Sequence, residues 1–377
     1  MTALINPEVT FVVPCYKLAH LLPDCVNSIL SQTYSNFEVL IMDDCSPDNT
    51  AEVAQSFQDP RVKHVRNEIN IGHIANFNKG ISLARGKYIW LISADDRLRR
   101  PYVLERYVKV MDAHPEIGYV FCPAMGLQDG EETEIVSYSF HGTHDTIFKG
   151  HDFLDKLIRF NCVEAPSAMA RKQCYLKGMF PSDLPWGHDW YLWCLFALYY
   201  DVAYLAEPMV NYRHHEHSIT NFFFRDGINI LIDNEIRVRW YVKEYAKASG
   251  FPSVARKCDD SIFTFCVNQI ISRGPTSSVS ELILEQFERS SIENSHILRD
   301  EREIRERVYI ALGDHYYWHH DFSWALQYYE YAVKHNPLLL RILTKYVLLR
   351  LGPLGIYFLD RLSVLKRRVI AIVAPMR

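Results

Sequence analysis

Several features that would assign a protein class immediately are missing from this sequence. There is no Cys-x-x-Cys pair, and the nine cysteines have no regular spacing, so neither a disulfide framework nor a structural zinc site is expected. The first ten residues, MTALINPEVT, contain no basic stretch and no apolar run, which argues against a signal peptide. No run of about 18 apolar residues occurs, so no membrane-spanning helix is expected. These absences favour reduced thiols and a cytoplasmic protein.

Strong charge and a dinucleotide-binding motif are missing as well. The net charge is only -4 over 377 residues, so the chain as a whole is not expected to bind nucleic acid. No Gly-x-Gly-x-x-Gly follows the first predicted strand, where the sequence reads Pro14-Cys15-Tyr16-Lys17. This argues against a Rossmann-type oxidoreductase. Hydrophobic residues make up 49% of the chain and charged residues 23%, a balance typical of globular proteins with an ordinary core.

The first 125 residues alternate apolar runs with helical patterns. Nearly continuous apolar strands separated by helices indicate βαβ units, a parallel sheet and the α/β class. Because open α/β sheets bind ligands at the carboxyl ends of their strands, polar residues just after each strand are candidates for a site. The predicted strands are 9–13, 37–42, 62–65 and 88–93, and the predicted helices are 20–32, 49–57 and 71–84.

The remaining sequence divides into a mixed region and a helical region. Apolar runs at 119–122, 202–206 and 209–213 predict strands, and an aromatic run at 190–200 predicts a buried helix. After Asn221 almost every pattern is helical. We therefore predict an α/β domain over residues 1–220 and an all-helical region over residues 221–377.

Two parts of the helical region have distinctive compositions. Residues 308–337 place Gly, Tyr, Ala and Pro at the spacings of one tetratricopeptide repeat, which predicts a helical hairpin packed on neighbouring helices. Residues 338–377 contain eight Lys or Arg and one acid, and they are rich in Leu, Ile and Val. This composition predicts peripheral contact with an anionic membrane surface, and a helix that caps the hairpin is the equal alternative. An extended helical region is also compatible with a homo-oligomer.

Acidic side chains follow two of the predicted strands. Two acids end the second strand, and the later one, Asp44, is the better ligand candidate because the polar residues after it are explained as caps of the next helix. Asp95 and Asp96 follow the fourth strand, where adjacent carboxylates repel each other unless a cation such as Mg²⁺ or Mn²⁺ lies between them. Pairing with the arginines at 97–100 is the alternative.

A third cluster begins the predicted helix at 71–84. Asn70 and Gly72 precede it, and a glycine there lets the backbone approach a phosphate at a helix N-terminus. A glycine that relaxes a tight strand-to-helix turn explains the same residues equally well.

Two further clusters lie near the end of the α/β region. Asp189 stands at the start of an aromatic helix, where burial would raise its pKa towards that of a general base, and a helix N-cap is the alternative. Three histidines fall within residues 212–218, in the order Tyr-Arg-His-His-Glu-His-Ser. These histidines belong either to an exposed polar loop or to a site in which one of them reaches a diphosphate or its metal ion.

Taken together, these segments resemble the family 2 glycosyltransferases, which have the GT-A fold, a Rossmann-like nucleotide-sugar transferase fold. The matching segments cover roughly residues 8–220 in the family's order. They are VVPCY at 12–16, SILSQTYSNFEVLIMDDCS at 28–46, Asn70-Ile-Gly72, Asn78-Lys-Gly80, ARGKYIWLISADD at 84–96, HDWYLW at 188–193 and YRHHEHS at 212–218.

The resemblance implies an inverting transfer from a nucleotide-diphosphate sugar, with UDP the favoured carrier, to a hydroxyl group. It also implies a glycan acceptor, lipid-linked, in bacterial surface polysaccharide synthesis. The resemblance also implies a role for each matching residue. Pro14 and Tyr16 are implied to line the nucleotide pocket, and Asp44 to hold the nucleobase or ribose. Asn70 and Gly72 would contact the donor, and Asp95 the ribose or sugar. Asp96 would ligate Mn²⁺ or Mg²⁺ with His215 nearby, and Asp189 would be the general base that deprotonates the acceptor.

Two positions depart from the family's pattern. Ser93 stands where the family often has an acid, and His188 stands where it often has glutamate before the catalytic aspartate. Ser93 would lack one polar contact that an acid makes in the family. His188 is expected to alter the acceptor pocket or to tune the base. A non-catalytic protein that binds nucleotide sugars is the alternative function.

Overall fold

The computed structural model describes residues 6–216, 218–225, 227–293, 298–336 and 338–361, with the backbone alone described at 286–293 and 298–302. The described chain forms two compact units, one ending at Cys258 and the other beginning at Asp259. None of the described helices combines the length and apolar character that crossing a bilayer requires.

Twelve strands form two sheets in the described chain. They are β1 Val9–Cys15, β2 Phe37–Asp43, β3 Val62–Arg66, β4 Tyr88–Leu91, β5 Arg97–Leu98, β6 Ile117–Phe121, β7 Ala124–Gln128, β8 Glu131–Ile135, β9 Thr146–Phe148, β10 Met169–Arg171, β11 Asp201–Tyr204 and β12 Val210–Arg213. The larger sheet has the order β3-β2-β1-β4-β10-β6-β11-β9, and the smaller has the order β5-β12-β7-β8. The seven predicted strands are confirmed, and the structure adds five more, β5 before the mixed region and β7, β8, β9 and β10 within it.

Thirteen helices complete the described chain. They are α1 Leu22–Leu30, α2 Thr50–Ser56, α3 His73–Leu83, α4 Val103–Ala113, α5 Gly150–Leu157, α6 His188–Ala197, α7 Ile219–Arg225, α8 Ile228–Ala248, α9 Pro252–Arg273, α10 Ser278–Glu293, α11 Leu298–Trp318, α12 Phe322–His335 and α13 Leu340–Arg350. The α/β class with a helical C-terminal region is therefore confirmed. The sheets end at Arg213, close to the predicted boundary at residue 220, whereas the first compact unit continues to Cys258 because α8 packs on α6.

The central strand β1 shows why the sheet is buried on both faces. All seven of its residues are buried, and alternate side chains enter different cores. Phe11 and Val13 pack with α1 and α4 on one face, and Val12 packs with α3 and α6 on the other. Gly80 lets α3 approach this second face, because a Cβ there would lie 2.4 Å from Val12 Cγ1. The near-continuous apolar strands thus follow from helices on both sides.

One strand of the larger sheet runs against its neighbours. Strand β10 is antiparallel to both β4 and β6, with Met169 opposite Trp90 and Arg171 opposite Tyr88. Strands β1, β2, β3 and β4 are mutually parallel where they pair. The start of β10 therefore lies at the edge where β4 ends, so the segment before β10 reaches the carboxyl ends of the parallel strands.

The second compact unit contains the predicted hairpin. Helices α11 and α12 pack against each other, and Gly313 makes room for Tyr329, whose ring would lie 2.5 Å from a Cβ at residue 313. The hairpin exists, and its kinship with tetratricopeptide repeats stays a prediction. Helix α13 packs on α12 through buried Ile342 and Leu349, which fits the alternative in which the start of the predicted tail caps the hairpin. Residues 362–377 of that tail lie outside the described residues.

Candidate active site

The ends of three parallel strands meet at one edge of the sheet. The backbone N–H of Asp44 donates to Cys15 O at 3.0 Å, and that of Ala94 donates to Pro14 O at 3.1 Å. The end of β1 therefore lies between the segments that follow β2 and β4. The structure thus brings Pro14, Asp44 and the Asp95–Asp96 segment to one place, next to Tyr16, which is 41% exposed.

Asp44 organises the loop before α3. It is only 3% exposed, and its Oδ1 accepts hydrogen bonds from Asn67 Nδ2 at 2.8 Å and from the backbone N–H of Ile71 at 2.9 Å. Its Oδ2 accepts from the N–H of Gly72 at 2.9 Å, and this N–H also lies 3.0 Å from Asn70 Oδ1. Gly72 has a φ of +85°, which favours glycine. Asp44, Asn70 and Gly72 thus form one unit, and their contact with a nucleotide stays a prediction.

The start of α3 also contacts the segment before α6. The Nε2 atom of His73 lies 3.2 Å from Pro185 O, and the ring centroids of His73 and His188 are 5.5 Å apart. Phe77 and Phe180 enclose the His188 ring. Burial, with the neighbouring His73, lowers the pKa of His188 to about 3, so this ring is neutral at physiological pH. The departure from the family's usual acid therefore places an uncharged ring beside Asp189.

Asp95 and Asp96 contact residues at the end of β12 and just after it. Strand β12 pairs with β5 in the antiparallel sense, which brings Arg213 back to the acidic pair. Asp96 is 4% exposed and accepts from the N–H of Arg213 at 2.9 Å. His215 Nε2 lies 3.0 Å from Asp95 Oδ2. Burial, then the charge of Asp95, raises the pKa of Asp96 well above its usual range.

These groups fit a divalent ion to a limited extent. Asp95 Oδ1 is buried without a hydrogen-bond partner, and the carboxylates supply the hard oxygen atoms that Mg²⁺ and Mn²⁺ prefer. No set of three His, Cys, Asp or Glu side chains surrounds a common ion position among the described residues. An ion here would therefore take at least part of its ligands from a diphosphate and water.

Asp189 lies in the first turn of α6. Its Oδ2 accepts from Asn161 Nδ2 at 3.0 Å, and burial raises its pKa above the usual range of an aspartate. Gly187, the residue before the first residue of α6, has a φ of +72°, and a Cβ there would lie 2.9 Å from Val238 Cγ2. The backbone before α6 therefore requires glycine, which fixes the direction from which Asp189 enters the site.

Two site residues were not predicted from the sequence. Asn161, which binds Asp189, and Glu164, which is 5% exposed, both lie between α5 and β10. No motif marks this segment, and the only signal is an acid within the apolar run Cys-Val-Glu-Ala-Pro at 162–166. Their place at the site follows from the antiparallel direction of β10.

Comparison with known families places this edge within a recognised domain. Residues 10–172 match the family model described as Glycosyl transferase family 2. The match includes Asp44, Asp95, Asp96 and the segment that carries Glu164, and it ends before Asp189.

Curated relatives share parts of the chain. Glycosyltransferase GlyG of Streptococcus pneumoniae is 35% identical over 111 residues, which are 29% of this chain and 37% of GlyG. An uncharacterized glycosyltransferase of Haemophilus influenzae is 27% identical over 228 residues, which are 58% of this chain and 68% of that protein. The chain spans 37%, 16% and 53% of the lengths of three of its curated relatives.

Solved structures share the fold. S. aureus TarS 1-349 in complex with UDP-GlcNAc superposes with a TM-score of 0.56 at 17% identity, over 81% of this chain and 80% of that one. The same protein in complex with UDP gives a TM-score of 0.57 at 16% identity, over 82% and 86%. The GT-A fold expected from the sequence is therefore confirmed.

Proposed function

We propose that this chain is an inverting glycosyltransferase that moves a sugar from a nucleoside-diphosphate donor, a UDP-sugar in the first instance, to a hydroxyl group of a glycan. The observation that carries the proposal is the meeting of Asp44, the Asp95–Asp96 pair and His215 at one sheet edge. The match of residues 10–172 to the family 2 model supports it, as do relatives named as glycosyltransferases.

The donor would lie along the ends of β1, β2 and β4. Pro14, Tyr16 and the Asp44-anchored loop at Asn70 and Gly72 would bind the nucleotide, with the backbone at the start of α3 near its phosphates. Asp95 would contact the ribose or sugar. Asp96 and His215 would hold Mn²⁺ or Mg²⁺, which when bound would neutralise charge on the departing diphosphate.

Asp189 would act as the general base. The acceptor hydroxyl oxygen forms a bond to the anomeric carbon while the bond from that carbon to the phosphate oxygen breaks, and the hydroxyl proton passes to Asp189. The nucleoside diphosphate leaves with the bonding electrons, and one displacement inverts the anomeric centre. A base whose pKa burial has raised accepts this proton more readily than an ordinary aspartate.

A lipid-linked glycan in bacterial surface polysaccharide synthesis is the acceptor that we propose, with the enzyme on the cytoplasmic face of the membrane. The described part of the basic tail supports this, because several of its large apolar side chains are exposed. Leu351 is 58% exposed, Leu354 67% and Phe358 50%. Such side chains beside Lys and Arg suit the surface of an anionic bilayer.

The central test measures turnover with a panel of nucleotide sugars, with and without Mn²⁺. Asp189→Asn should lower kcat by about 100-fold or more because the proton acceptor is lost, without weakening donor binding. Asp96→Ala should abolish the response to Mn²⁺.

Glu131→Gln, at an exposed residue of β8, is the matched control and should behave as the unaltered protein. Unchanged turnover in both site variants would disprove the assigned roles, and donor binding without any turnover would favour the non-catalytic alternative.

A further inference from the structure

Glu164 is held firmly at the catalytic edge by its backbone. Its carbonyl oxygen accepts from the N–H of Ser167 at 3.0 Å and from Ser167 Oγ at 2.7 Å. The turn that follows is fixed by Trp90 Nε1, which donates to Pro166 O at 2.7 Å, and by Tyr107, whose hydroxyl donates to Ser167 O at 2.9 Å. The position of Glu164 is therefore set by the sheet and by α4, and its carboxyl group takes no part in holding it.

The carboxyl group of Glu164 lacks the partners that buried acids normally have. The residue is 5% exposed, and its Oε1 is buried with no hydrogen-bond partner. Burial, then the charge of Asp189, raises the pKa of Glu164 to about 8. A buried polar group without a partner destabilises a fold. Such a group is therefore expected to have a ligand.

Glu164 neighbours both groups of acids in the site. It interacts electrostatically with Asp189, with Asp96 and with Tyr212. The turn after it packs beside β4 and β12, the strands that precede Asp95 and His215. In the proposed reaction, the sugars occupy the space between the diphosphate and the base.

The chemistry of the ligand follows from these surroundings. Glu164 is itself an acid and interacts with the acids Asp96 and Asp189, so a direct contact between Glu164 and a negatively charged diphosphate is unfavourable. A neutral carboxyl group both donates and accepts one hydrogen bond, as a hydroxyl group does. We propose that Glu164 is a sugar-binding residue whose carboxyl group exchanges hydrogen bonds with a hydroxyl of the donor sugar or of the acceptor sugar. This inference rests on the proposed function.

Two substitutions separate recognition from structure. Glu164→Gln keeps a neutral donor and acceptor of nearly the same shape, whereas Glu164→Met fills the space and removes both. We expect Gln to keep kcat/KM within about threefold and Met to lower it by about ten- to a hundredfold, the loss of one or two hydrogen bonds to a hydroxyl. Both variants should fold, because no hydrogen bond of the protein is lost. Equal activity of the Met variant and the unaltered protein would overturn the proposal, and so would equal losses in both variants.

The source of the hydroxyl is resolved by two measurements. If it belongs to the donor, Glu164→Met raises the donor KM and slows hydrolysis of the donor by water. If it belongs to the acceptor, donor hydrolysis is unchanged and only the acceptor KM rises.

Calorimetry keeps this proposal distinct from the proposed function. The unaltered protein should bind UDP-GlcNAc or UDP-glucose more tightly than UDP, and Glu164→Met should lose that preference if Glu164 holds the donor sugar. That result in a protein without turnover would refute the proposed function while supporting the sugar contact. Equal preference in both proteins, together with an unchanged acceptor KM, would refute the sugar contact alone.

Discussion

At the scale of single residues, Asp189 and Asn161 are coupled. Burial raises the pKa of Asp189, and the hydrogen bond from Asn161 opposes that rise by stabilising the ionised carboxylate. In Asn161→Ala the pKa of Asp189 should therefore increase further. Since the ionised form is the base in the proposed reaction, the acid limb of kcat/KM should move to higher pH, and activity should fall more at pH 6 than at pH 8.

The control for this prediction is Asn268→Ala, at an exposed position of α9, which should leave the pH profile in place. An acid limb that stays unmoved in Asn161→Ala would show that another group sets it.

The site residues differ in how far they could be predicted. Asp44 directly follows an apolar strand, and Asp95 and Asp96 end the apolar run that contains β4. Parallel strands bring such residues to one edge, so the sequence pattern indicated where they would lie. Asn161 and Glu164 could not be located in this way, because their position depends on the direction of a three-residue strand. The sequence of so short a strand does not encode its direction. The hydrogen bond between Asp95 and His215 depends likewise on the pairing of β12 with β5.

At the scale of elements, Glu38 joins several parts of the sheet. This buried residue of β2 accepts from Thr10 Oγ1 of β1 at 2.9 Å, from Lys63 Nζ of β3 at 2.9 Å, and from Arg85 after α3 at 2.6 Å. Burial alone would raise the pKa of Glu38, but these hydrogen bonds outweigh it and lower the pKa to about 2. The ionised form is therefore stabilised by folding.

We predict that Glu38→Gln lowers the free energy of unfolding at pH 7 by about 2–3 kcal/mol, because it leaves the two cations without their buried partner. The depressed pKa gives a sign for the pH dependence. The stability from Glu38 is complete above its unfolded pKa of 4.5 and is lost as the pH falls towards 2.

Denaturant unfolding at several pH values measures this effect. The difference between the unaltered protein and Glu38→Gln should shrink below about pH 4, as protonation removes the same charge in the unaltered protein. A difference that is constant with pH would contradict the ionic account. Glu105→Gln, at an exposed residue in the first turn of α4, is the control.

Element ends were predicted less well than element types. Helices α1 and α3 begin two residues later than their patterns suggest, and β4 ends at Leu91, before the turn that carries Asp95. In α3 the reason is specific, because Asp44 captures the N–H groups of residues 71 and 72 and keeps that loop out of the helix.

At the scale of the whole molecule, the exposed apolar side chains of the tail give the membrane proposal a test. At low salt, the full chain should co-sediment with vesicles that contain anionic lipid. The double variant Leu354→Glu/Phe358→Glu should bind the vesicles with an association constant that is lower by about tenfold or more. The reason is that two apolar side chains no longer enter the membrane interface.

Leu176→Glu is the matched control, since Leu176 is 86% exposed and lies in the first compact unit. It should bind vesicles as the unaltered protein does. Absence of binding by the full chain, or equal binding by the double variant, would reject the membrane contact and leave α13 and the segment after it as part of the helical unit.

Strand β10 allows the chain to reach its catalytic edge from two unrelated directions. In the proposed reaction, the acids after the forward strands would serve the departing nucleoside diphosphate. The connection before β10 arrives from the other side, so insertions or exchanges there can leave the acidic motif intact. Under the proposed function, changes in this connection would alter which sugar is bound and leave unchanged the acids that serve the departing nucleotide.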